Sequence, residues 1–82
     1  MPYISPERRE WLTPRADGMA ASSGELNFQI TMVLRAYLEN HGLNYAVIND
    51  IVGACDGAKA EFQRRIVGPY EDGAIKRNGD VY

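Results

Sequence analysis

Two amphipathic stretches, Leu26–His41 and Tyr45–Val67, are separated only by Gly42-Leu43-Asn44, and this spacing constrains the chain more than anything else in it. Helices joined by so short a turn fold back on one another, which predicts a long antiparallel helical hairpin. In the first stretch Leu26, Ile30, Val33, Leu34, Tyr37 and Leu38 recur with a period of 3.6 and form one apolar stripe. Phe28 and Met32 fall beside that stripe and predict a second contact surface. In the second stretch Tyr45, Ile48, Ile51, Val52, Cys55, Ala58, Phe62 and Ile66 make the apolar side.

Start and stop signals bracket both stretches. Ser22-Ser23-Gly24-Glu25 fits a capping box, with the serine as cap and the glutamate three residues on. His41-Gly42-Leu43 reads as a helix end, with glycine left-handed and the leucine folded back onto the last turn. Asn44 then caps the next helix, and Gly68-Pro69 predicts a firm end to it. Gly53 and Gly57 each cost roughly 1 kcal/mol against alanine inside a helix. Beside Ala54, Cys55 and Ala58 they read as a groove that another helix approaches closely.

Upstream, Met1-Pro2-Tyr3-Ile4 is extended in character, and Ser5-Pro6-Glu7 opens a short helix over Pro6–Leu12. Thr13-Pro14 repeats the start signal and predicts a second short helix toward Ala21, weakened by Asp17-Gly18 and Ser22-Ser23-Gly24. Downstream, Pro69-Tyr70-Glu71-Asp72 suits one more helical turn and Asn78-Gly79 a turn. Asp80-Val81-Tyr82 then runs extended, able to pair with Pro2–Ile4. The fold expected is all-α, a single domain over residues 1–82. It has short helices within 5–21, long helices at 25–41 and 45–67, and an ordered tail at 69–82.

A chain of 82 residues buries only a little over ~60% of the surface that its unfolded form exposes. One cysteine allows no intrachain disulfide and no thiol-based metal site, so the usual staples of small domains are missing. The missing burial points to other copies of the chain, hence a homo-oligomer. An apolar content of 45% argues against disorder throughout. The net charge of −2 is spread evenly, with no Lys/Arg concentration of the kind a phosphate backbone demands, so nucleic acid is not expected as a partner. No apolar run approaches the ~20 residues that span a bilayer, and no basic segment leads into an apolar one as in a signal peptide. A soluble cytoplasmic protein without a membrane partner is the expectation.

Few residues offer chemistry. His41 is the only histidine and suits the negative end of its helix. Cys55 lies on the apolar stripe beside Asp56, which predicts a buried small hydrophobe and not a reactive thiolate. Asp50, Asp56 and Glu61 lack the Glu-x-x-His pairing of helical-bundle metal sites. They read as solvated charges, Glu61 pairing with Arg64 or Arg65. Asn78-Gly79-Asp80 is too short for a metal or phosphate loop. No metal, cofactor or catalytic group is expected. The most suggestive polar cluster is Arg64, Arg65 and Tyr70, followed by Glu71 and Asp72. Either the acids dock the tail onto the arginines, or a ligand carboxylate or phosphate takes their place.

The ends of the chain carry a resemblance. Met-Pro-Tyr-Ile at the start, Leu26–Thr31, Gly42–Tyr45 and the run from Glu61-Phe62-Gln63-Arg64-Arg65 through Pro69–Asp72 to Asn78–Tyr82 are its residues. Together they resemble a family of small uncharacterised proteins from bacteriophages, prokaryotes and environmental genomes. The resemblance covers nearly the whole chain and implies a setting, without catalytic residues. The pattern departs around Asp17–Gly24, where the family is more helical and charged. Two functions follow as expectations. The first is a non-enzymatic, homo-oligomeric accessory protein that acts on itself or on another protein. The second is a small-molecule or anion-binding module, or minimal enzyme, using Arg64, Arg65 and Tyr70 at a subunit interface.

Overall fold

The computed structural model describes residues 3–82. The elements are α1 (Pro6–Leu12), a 3-10 turn (Ala16–Gly18), α2 (Ser23–His41), α3 (Tyr45–Phe62), a π turn (Gln63–Val67) and α4 (Gly68–Asn78). The described residues are mostly helical and contain no strand, so the all-α expectation holds and Asp80–Tyr82 form no sheet. The extended reading of Met1-Pro2, and Pro2 as a pairing partner, lie outside the described residues. The chain divides into two compact units, one ending at Arg35 and one running Ala36–Tyr82.

In the first unit α1 begins where the sequence predicts. The Ser5 hydroxyl accepts the Arg8 N–H at 3.2 Å, and Pro6 occupies a first-turn position where its missing N–H costs nothing. Thr13 closes the helix, its hydroxyl donating to the Arg9 carbonyl at 2.7 Å. The second short helix predicted from Pro14 to Ala21 is only the 3-10 turn Ala16–Gly18. Gln29, from α2, takes over the backbone there. Its amide N–H donates to the Gly18 carbonyl, and its carbonyl oxygen accepts the Ala20 N–H at 3.2 Å. A side chain that supplies both a donor and an acceptor holds an irregular segment whose own glycine disfavours a helix. The capping box is formed, with a small shift. The Ser22 hydroxyl accepts the Glu25 N–H at 3.2 Å, while the Glu25 carboxylate accepts from Ala21, one residue ahead of the cap, at 2.9 Å.

In the second unit Gly42 ends α2 at φ 86°, its N–H reaching the Leu38 carbonyl at 2.8 Å. Leu43 does not fold back: it is 76% exposed. Asn44 caps α3 through a 3.0 Å bond from the Val47 N–H. Val47, one turn in, is 7% exposed and is the only buried large hydrophobic among the described residues.

The predicted stop at Gly68-Pro69 is overridden. Val67 and Gly68 keep right-handed helical angles, and helix continues from α3 through the π turn into α4. The reason is local. Pro69 has no N–H to donate, and in a straight α-helix its ring strikes the carbonyl of Arg65. Widening the preceding turn, so that the Gly68 N–H bonds the Gln63 carbonyl five residues back, relieves that crowding without unwinding the helix. The true stop is Asn78-Gly79. Gly79 turns to φ 85° and its N–H bonds the Ile75 carbonyl at 2.8 Å.

Candidate functional site

The long helix of the second unit carries its apolar side on the surface. Ile51, Cys55, Ala58, Phe62 and Ile66 follow one another at three- and four-residue steps and so share one face. Phe62 is 59% exposed, and Ile48, Val52 and Ile66 are exposed as well. Cys55 is exposed too, which corrects the expectation of a buried thiol: in the single chain nothing packs over the face that carries it. In the first unit Leu26, Phe28, Ile30, Met32 and Val33 of α2 are likewise exposed. Most residues patterned as core are therefore surface in one chain, while Leu34, Leu38 and Ile51 are half-buried.

Gly53 and Gly57 are not part of that face. At ~100° per residue they lie roughly opposite Ile51, Cys55 and Phe62, and a Cβ added at either would meet nothing within 4 Å. The predicted groove is absent from the chain, because the glycines belong to the polar side.

The predicted polar cluster is organised around Glu61. Its carboxylate accepts from Arg64 at 3.1 Å and from Arg65 Nε at 3.0 Å, an i+3 and an i+4 pair on one helical surface. The hydrogen bond from Arg65, then that from Arg64, then the Arg64 charge hold the Glu61 carboxyl below its ordinary pKa. Both guanidiniums remain largely exposed, so the pairs are screened by water and worth little to stability. Tyr70 lies beyond the π turn and is 73% exposed. The arginines thus face an acid on their own helix and not Glu71 or Asp72 of the tail.

A second cluster was missed from sequence because it joins two helices across the turn. The Tyr37 hydroxyl donates to Asp50 at 3.0 Å, and the Tyr37 and His41 rings lie 4.1 Å apart, tilted by 36°. The bond to Asp50, with some desolvation and the aspartate charge, raises the Tyr37 pKa. The signal available was that both Tyr37 and His41 lie within the last turns of α2 while Asp50 lies early in α3. His41 therefore stacks on a ring beside its helix end and is not aimed at a nucleophile. In the first unit Glu7, Glu10, Trp11, Thr13 and Arg15 line an open recess, and the Arg8 guanidinium sits 4.2 Å over the Trp11 ring.

Among the described residues no three of His, Cys, Asp and Glu cluster as metal ligands, and no helix is long and apolar enough to cross a membrane. What the second unit does present is a long apolar helical face flanked by internally paired charges, the form of a helix-packing surface. A protein-family model described as a domain of unknown function (DUF6899) matches residues 1–81. The chain belongs to that family. No curated protein and no solved structure matches it.

Proposed function

We propose that the protein is a non-enzymatic interaction or accessory protein that works as a homo-oligomer, its helices pairing as hairpins and packing through their apolar faces. One observation carries the reading: among the described residues the chain alone buries one large hydrophobic residue, Val47, and leaves most of the stripes of α2 and α3 exposed, with Leu34, Leu38 and Ile51 half-buried. Burying one such side chain contributes about 1.5–3 kcal/mol, against a total stability of 5–15 kcal/mol for typical domains, so a folded chain needs those faces covered. A soluble cytoplasmic protein of phage or prokaryotic origin is the setting we propose, on the resemblance carried by its two ends; a second protein as client of the assembly belongs to the same reading.

The alternative, an anion or small-molecule site built on Arg64, Arg65 and Tyr70, requires Glu61 to release both arginines, since its carboxylate already occupies them. Internal pairing supports the interaction reading. Multi-angle light scattering at micromolar concentration tests it. A mass of two or more times 9.2 kDa supports it. A mass of one chain, together with phosphate or carboxylate binding that Arg64→Ala abolishes, replaces it by the alternative.

A further inference from the structure

The backbone of the α2–α3 turn does little by itself to fix the angle between its two arms. Gly42 carries the reversal at φ 86°, and Leu43, which would staple the end of α2 by folding back, is 76% exposed instead. Apolar burial in the second unit is deepest beside this turn, where Val47 is buried and Leu38 and Ile51 are half-buried. A side-chain bond crosses the turn at the same level. The Tyr37 hydroxyl donates to Asp50 Oδ2 at 3.0 Å, thirteen residues away. Tyr37 stands five residues before Gly42, and Asp50 five residues after Tyr45, the first residue of α3. At 1.5 Å per residue the bond ties both arms at about 7.5 Å from the turn. His41, one helical turn after Tyr37, lays its ring 4.1 Å from the tyrosine ring. Ring against ring limits rotation of the phenol and keeps its hydroxyl on the Asp50 side.

We propose that Tyr37 and Asp50 form a clasp that sets the opening angle of the α2–α3 turn, with His41 as the residue that positions the tyrosine. The clasp acts within one chain and stands whether or not copies associate. Its leverage follows from its place. With the tie at about 7.5 Å, lengthening it by about 1 Å opens the arms by ~8° and moves the far end of the 18-residue α3, ~27 Å away, by ~4 Å. The bond is also conditional on a proton. A phenol that donates to a carboxylate makes a charge-assisted bond, stronger than a neutral one. A phenolate at the same place has no hydrogen to share, and two anions about 3 Å apart repel. Asp50 is the charged group that meets the phenol from α3, while His41 stacks on it from α2 and Arg35 and Glu39 neighbour it in sequence. The hydrogen bond to Asp50 raises the Tyr37 pKa, so the clasp is closed below that folded value and released above it.

The test uses the full chain and residual dipolar couplings of the backbone amides, which give the orientation of residues 36–41 relative to 45–62. Tyr37→Phe keeps the ring and its stack on His41 and removes only the hydroxyl. Helix content by circular dichroism should hold, while the angle between the two segments shifts by ~8° or more. Asp50→Asn keeps a neutral acceptor and should move the angle the same way by less. His41→Ala should also move it by less, since the bond remains and only its positioning is lost. In the unsubstituted chain, raising the pH through the ionisation of Tyr37 should reproduce the Tyr37→Phe couplings, and the Tyr37→Phe chain should show no such alkaline change. Couplings in Tyr37→Phe that match the unsubstituted chain, or couplings that stay constant as Tyr37 ionises, overturn the clasp. A changed angle that comes with melting of α2 and is absent from the pH series makes the tyrosine a support of its own helix, and overturns it too.

Discussion

Replacing Gly53 and Gly57 with alanine should stabilise the protein, and the size of the gain follows from the structure. Both residues lie inside α3 with ordinary helical backbone, and a Cβ at either position meets no atom within 4 Å. No packing is disturbed, so the substitution acts on the helix–coil balance alone: alanine restricts the unfolded chain and avoids glycine's cost of roughly 1 kcal/mol in a helix interior. Each variant should gain about 0.5–1 kcal/mol, and the double variant about 1–2 kcal/mol if the two contributions add. For a chain of this size 1 kcal/mol corresponds to about 4–8 °C in Tm. Thermal and urea unfolding followed by circular dichroism at 222 nm, at fixed protein concentration, reads the gain. A fall in Tm, or a loss of oligomer mass with either alanine, would mean that another helix seats on the glycines. The assignment of the polar side as free would then be wrong. Gly57→Leu sharpens the comparison: on an open surface it is tolerated, whereas in a close contact it overfills at a cost of about 1–3 kcal/mol.

Asn44→Ala removes the cap that holds the Val47 N–H and should cost about 1 kcal/mol, read as a lower urea midpoint with an unchanged m-value. Glu61 has its pKa depressed in the folded state, so its contribution is present above its unfolded pKa and is lost as pH falls through the folded one. Glu61→Gln should flatten that acid limb slightly, and a carboxyl NMR titration should place Glu61 below an ordinary glutamate. Tyr37 has its pKa raised, so its contribution is complete below the ordinary tyrosine range and fades as pH rises through the folded value. Ultraviolet titration should show Tyr37 ionising above the ordinary tyrosine range, and Asp50→Asn should bring it back toward that range.

What was legible in the sequence is what neighbouring residues decide among themselves. Ser5, Ser22 and Asn44 cap helices because a short side-chain oxygen next to free backbone N–H groups needs no tertiary partner. Gly42 takes a positive φ for an equally local reason. The Glu61 pairs were legible because three and four residues make one helical surface. The remainder depended on more than local rules. In sequence Gly68-Pro69 reads as a terminator, although a helix can absorb a proline by widening one turn when the residues on both sides favour helix. The clamp that Gln29 places on Gly18 and Ala20 spans eleven residues, and glutamine carries no positional signal. The apolar periodicity named the faces of α2 and α3, but periodicity states only that a face is to be covered. It does not state by what, and so Cys55 was expected to be buried within a chain that leaves it exposed. Arg64, Arg65 and Tyr70 group only by proximity in sequence; the arginines lie within the π turn, which changes which way the tyrosine beyond it faces relative to Phe62.

We propose that this chain completes its core with further copies of itself. Sedimentation equilibrium of the full chain over a concentration series, paired with melting at the same concentrations, tests it most directly. A mass of at least twice 9.2 kDa at micromolar concentration is expected, with a Tm that rises with concentration as mass action requires. A mass of 9.2 kDa throughout, with cooperative unfolding whose midpoint does not depend on concentration, would contradict it.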